Sequence, residues 1–187
     1  MAITIIVETG AVVAGANSFV SLADFKVHCD NRGRVYTAVY GDEAIKAAMV
    51  KMGDYLNSLT WKGVKTDRDN SMCWPRYGID EGGNIWNQLE YPASEWVGVL
   101  DKDGFYIATD TVPTEAINAQ CEGTWLVLTG TDLQPTLSRG GQVKRKKVDV
   151  LETEYFPGAS PVSRHLVIDG LLKGLLRSSM SIETVRA

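Results

Sequence analysis

Cysteine and histidine are scarce in this 187-residue chain, with three of the first and two of the second. Cys29, Cys73 and Cys121 are far apart, odd in number and without a CxxC pair, a pattern that fits reduced thiols in a cytoplasmic product better than a disulfide framework or a zinc site. His28 and His165 stand alone, neither in a HExxH-like pair nor in a nucleophile arrangement, so each reads as a structural histidine. An excess of positive charge is also missing. The formal net charge is −4, which argues weakly against a protein that grips nucleic acid chiefly by neutralising phosphates, although a local patch remains open. No run approaches the length of a membrane span. The opening Met-Ala-Ile-Thr-Ile-Ile-Val has no basic residues before its apolar ones and is expected as a strand rather than a signal peptide. Internal repeats and low-complexity tracts are absent.

The glycines match neither GxGxxG nor GxxxxGK[ST], so no phosphate loop is expected. Asp101-Lys102-Asp103-Gly104 lacks the remaining positions of a calcium loop and reads as a turn. Cys73, beside Trp74-Pro75, has no activating neighbour and reads as core. These absences converge on a protein without an active site, metal or cofactor.

What is present suits one domain. Apolar residues make up 44% and charged residues 22%, enough to bury a core and avoid wholesale disorder. Ile3–Glu8 is β-branched and reads as a short strand. Ser18 or Ser21 can cap a helix running towards Gly33. From Asp42, an N-cap candidate, apolar residues recur at Ile45, Ala48, Met49, Met52, Tyr55, Leu56 and Leu59, one face of a five-turn helix. Two β-type runs flank Asp101–Gly104, predicting a hairpin near 95–108. Pro113 and Glu115 open a helix that Gly130 stops. One of its faces carries Ile117, Cys121, Thr124, Trp125 and Leu128, and a second, of small residues, carries Ala116, Ala119, Gly123 and Val127. Two apolar faces predict a helix between neighbours, with the small-residue face a candidate subunit–subunit contact. A last helix is expected from Ser160-Pro161 through Leu175 and Leu176. The fold expected is mainly α: a small helical bundle with a short N-terminal strand, a hairpin near 95–108 and a charged hairpin near 142–156.

The charged hairpin holds the densest feature of the chain, Lys144-Arg145-Lys146-Lys147. A turn at Asp149-Val150 would set Lys147 opposite Glu152 and Arg145 opposite Glu154, cross-strand pairs that stabilise by up to about 1 kcal/mol. The same run is a candidate contact for DNA or an acidic partner, and the two roles can coexist. No aromatic interleaves with it, as a stacking groove for single strands would require.

Several pieces in order resemble a family of tailed-bacteriophage proteins. They are Ala16-Asn17-Ser18-Phe19-Val20-Ser21 leading to Ala23-Asp24, then Met52 with Asp54-Tyr55-Leu56, Trp61-Lys62-Gly63, Trp74-Pro75-Arg76 with Gly78, Val112-Pro113, Leu137 with Arg139-Gly140-Gly141, and Glu154-Tyr155 before a leucine-rich helix. The family goes under two descriptions, DnaT-like single-stranded-DNA-binding proteins and head-to-tail connectors (adaptors). The resemblance covers most of 3–177, departs from the pattern at about 80–110, which reads as an insertion, and implies one connector domain over 1–177. It implies a structural virion protein of the head–tail neck, made in the host bacterial cytoplasm. Such a subunit forms a dodecameric ring on the portal, extends the DNA channel and presents a surface to the next neck or tail-completion protein. Double-stranded DNA would pass without sequence specificity, and no membrane is involved. Portal contact is expected from Leu175, Leu176 and Arg177 and from a docking tail over 178–187 bearing Met180, Ile182 and Val185. The alternative is a soluble single-stranded-DNA-binding protein of phage replication. It would need exposed aromatics beside cations, for instance Trp61-Lys62 and Trp74-Arg76 on one surface.

Overall fold

The computed structural model describes residues 2–36, 38–78, 98–134, 143–147, 152–155 and 165–177. Among these lie helices α1 (Leu22–Asp30), α2 (Asp42–Ser58), α3 (Thr114–Leu128) and α4 (Leu166–Leu172), and two antiparallel strand pairs. β1 (Val64–Lys65) pairs with β2 (Arg76–Tyr77), and β3 (Val143–Lys147) with β4 (Glu152–Tyr155). The mainly helical fold expected from the sequence is the fold observed.

Helix α1 begins at its serine. The Ser21 hydroxyl accepts from the Asp24 N–H, satisfying one of the four donors a helix start leaves open. Helix α2 starts one residue away from the expected position: Gly41 is the N-cap and Asp42 the first helical residue, where it pairs with Lys26 at 2.7 Å. Its predicted apolar face is the buried one, through Ile45, Ala48, Met49, Met52, Tyr55 and Leu56. The isoleucine, leucine and methionine side chains among them each contribute roughly 1.5–3 kcal/mol when fully buried.

Helix α3 corrects the sequence reading. Ala116, Ala119 and Gly123 are interior, together with Gln120, Cys121 and Thr124, whereas Ile117, Trp125 and Leu128 are only half-buried. The small residues let α3 lie close on α2. A Cβ on Gly123 would run into the Met52 side chain. Gln120 makes the junction specific: its Oε1 accepts from Phe19 N at 2.6 Å, while its Nε2 donates to Ser18 Oγ and to Met49 O. A fully buried amide is tolerable only with its partners in place, and these are.

The N-terminal segment is extended, but it is no strand of a sheet: a single parallel bridge joins Val7 to Ser18. Side chains do the rest. Asn17 Oδ1 accepts from Ile6 N, and buried Glu8 accepts from the N–H groups of Gly10, Val12 and Val13. These bonds hold Val12 at φ 58°, a left-handed conformation that a β-branched residue rarely adopts.

The hairpin expected near 95–108 is present in its described part, 98–107. Leu100 pairs with Tyr106, Ile107 N donates to Val99 O, and Asp101 Oδ1 accepts from Asp103 N and Phe105 N to form the turn. Helix α4 is shorter than predicted, beginning after His165; the expected start at Ser160-Pro161 lies outside the described residues.

Candidate nucleic-acid interface

The basic run occupies β3, and the predicted register is the register found. Arg145 stands opposite Glu154 and Lys147 opposite Glu152. The other two cations have no acidic residue across from them. Lys146 faces Thr153, and Lys144 falls in the irregularity between the Val143–Tyr155 and Arg145–Glu154 pairs. Half of the run therefore stands opposite acidic residues along the ladder, and half does not.

The aromatic half of a single-strand site is not where the sequence suggested. Trp61 and Trp74 are buried and pack edge to face, ring centroids 6.0 Å apart. Trp61 Nε1 donates to Leu56 O, closing the end of α2. The Arg76 guanidinium is occupied by three backbone carbonyls, those of Lys62, Gly63 and Cys73. This group ties β1 and β2 to the core, and it offers no base a flat surface. Burial pushes the Cys73 and Cys121 thiols up to about 12, so both are inert core residues.

Two further sets of expected contact residues are divided by burial. Ala116, Ala119 and Gly123 are buried within the subunit, Gly123 against Met52 of α2, and have no surface left for a neighbouring one. Val127 is half-buried and lines an open recess with Lys51, Asp54 and Tyr55. Leu175, expected to meet a portal, is a core residue, and Leu176 is half-buried and bridged to Trp61. Arg177 is exposed. Met180, Ile182 and Val185 lie outside the described residues. The large apolar groups that do face solvent include Leu166 and Val167 on α4 and Phe105 and Tyr106 on the 98–107 hairpin.

The charged cluster around Glu122 was invisible in the sequence, because its members come from two distant segments. Glu122 accepts from Arg34 Nη2 at 2.5 Å and meets His28 Nε2 at 2.9 Å and Arg32 Nε at 3.0 Å. Burial pushes Glu122 up, and the hydrogen bonds and charges of Arg34 and His28 more than offset it, leaving its pKa low. For His28, burial is the largest influence and lowers the pKa; the Glu122 bond opposes it, and the Arg32 and Arg34 charges reinforce it. Neutral His28 satisfies both contacts, Nε2–H donating to Glu122 and Nδ1 accepting from Arg32 Nη1 at 3.2 Å. The guanidinium of Arg34 also lies 5.1 Å above the Trp125 ring. This cluster clips the end of α1 and the residues after it to α3. His165 is structural in the same sense, with Nε2 3.2 Å from Leu133 O and its ring edge-on to Tyr55. Among the described residues no His/Cys/Asp/Glu group could hold a metal, and no helix is long and apolar enough to cross a membrane.

Two overlapping stretches, residues 3–95 and 86–187, match the model of a family described as DnaT-like ssDNA binding protein. No curated protein and no solved structure matches the chain.

Proposed function

Because the chain belongs to the family of DnaT-like ssDNA binding proteins, we propose that it is a non-enzymatic protein that contacts single-stranded DNA, weakly and mainly through charge. The observation that carries this is the register of β3, which leaves Lys144 and Lys146 without acidic residues opposite. Each phosphate neutralised contributes about −0.7 to the slope of log affinity against log salt on single strands. With two such cations, and a net charge of −4 on the chain, attachment is modest and salt-sensitive. A labelled oligonucleotide followed by anisotropy tests this. K144A/K146A is expected to weaken binding several-fold and flatten the salt slope by about 1.4, the sum for two phosphates. Unchanged binding by that variant removes the strand from the account.

A second reading places the same non-enzymatic fold in the virion neck as a ring-forming adaptor between the portal and the next neck or tail protein. Leu166 is 80% exposed and Val167 54%, an apolar step at the start of α4 that suits burial against a neck partner. The chain's acidic balance suits a channel through which duplex must slide without sticking. Deleting residues 178–187 is then expected to leave the protein folded and abolish its attachment to purified portal. Normal attachment of the truncated chain removes the docking role of that tail.

A further inference from the structure

We infer that the exposed rings of the 98–107 hairpin, together with the end of α4, form a stacking surface for the bases of single-stranded DNA. The inference rests on the DNA-binding reading for its ligand and adds the aromatic component that β3 lacks.

The hairpin is seated backbone against backbone. A Cβ on Gly98 would collide with the Ile107 carbonyl, closing the base of the hairpin. On its flank, a Cβ on Gly63 would come within 2.7 Å of Val99 Cγ2. Near the tip, one on Gly174 would come within 2.7 Å of Lys102 Cβ. The first approach closes the hairpin on itself and the other two, at Gly63 and Gly174, seat it on the body, so its exposed groups are held in place before any partner arrives. Val99 is buried and Ile107 half-buried in that seat. Phe105 and Tyr106 are not: they remain 72% and 66% exposed on an element rigid enough to have hidden them.

Cations lie at the turn of the hairpin and on the segment it rests against. Lys102 is at the turn, and Lys173 and Arg177 flank Gly174, the residue on which Lys102 rests. Lys62 is drawn to the same corner by its N–H, which donates to Leu175 O at 2.9 Å. Among the described residues no carboxylate forms a salt bridge with any of the four. Of the two aspartates in the turn, Asp101 is occupied with the Asp103 and Phe105 N–H groups, bonds that hold its pKa down despite some burial, and Asp103 is left as the counter-charge. Exposed ring faces with a surplus of cations are what unstacked bases on a phosphate backbone recognise, because every base has a π-face and each nucleotide brings one negative charge. Duplex DNA buries its base faces and offers only the charge.

Anisotropy of a labelled oligo-dT with the full-length protein tests this. F105A/Y106A is expected to weaken binding by about tenfold or more while leaving the salt slope unchanged, since stacking involves no counterion release. F105L/Y106L, which keeps apolar bulk without a π-face, should weaken it similarly, and F105W/Y106W should retain it. Both rings are at the surface, so the melting temperature stays near that of the wild type and certifies the fold. Wild-type affinity in F105A/Y106A, with loss in K144A/K146A, overturns this surface and leaves the DNA-binding reading standing. Retention of oligo-dT affinity by F105L/Y106L overturns stacking. No binding by the wild type at low salt overturns both.

Discussion

Glu122 shows at the residue scale why a sequence conceals part of its own chemistry. His28 reads as structural because it lacks motif partners, and it is structural, but the carboxylate that explains it lies 94 positions along the chain. No periodicity links the two. Gln120 is hidden for the same reason: it is one polar residue on a small-residue face, and only the packing of the fold gives its amide three partners, Phe19 N, Ser18 Oγ and Met49 O. The pH dependence of the cluster follows from its shifts. His28 has a folded pKa below 6.5, so as pH falls past 6.5 the unfolded chain takes up the proton first and stability is lost. The lowered Glu122 adds stability above its unfolded value and loses it as pH falls through the folded one, so both groups act in the same direction. Melting temperatures between pH 7.5 and 5 should therefore fall on acidification. In H28Q the part of that fall just below pH 6.5 should be smaller, because the glutamine amide keeps a bond to Glu122 without titrating. Parallel curves for the two proteins would mean that His28 does not carry it.

Among the elements, α2 was the most legible, because seven apolar residues over five turns admit one face. α3 was misread for a physical reason. Two apolar faces suggested a helix between neighbours with the small-residue face turned to another subunit. Close helix approach selects small residues, so the Ala/Gly face went inside against the chain's own core while Ile117, Trp125 and Leu128 cover the flank. Gly123→Leu is accordingly expected to destabilise by about 1–3 kcal/mol through overpacking against Met52, and Met52→Ala in the same chain should restore part of the loss. Strictly additive effects of the two changes would contradict the contact. The 145–154 and 147–152 pairs of the charged hairpin were readable because opposite charges at matched distances from a turn fix a register. The Trp61 and Trp74 pair was not. Tryptophans beside basic residues fit a binding surface and a core corner equally well, and burial decides between them. Likewise the N-terminal run had strand composition but no neighbouring strand, so Glu8 and Asn17 satisfy its backbone instead.

For the whole molecule, the account is of a helical body that carries its DNA contacts on two β-hairpins, one rich in charge and one presenting aromatics. The net charge of −4 opposes non-specific attachment, so such contacts must be local and weak, and a preference for single strands must come from bases rather than phosphates. The most direct measurement is a salt titration of wild-type affinity for a single-stranded oligonucleotide and for its duplex, side by side. The account predicts tighter binding of the single strand at low salt, with both affinities falling steeply as salt rises. Equal or tighter binding of the duplex, or no measurable binding of either at the lowest salt, would contradict it.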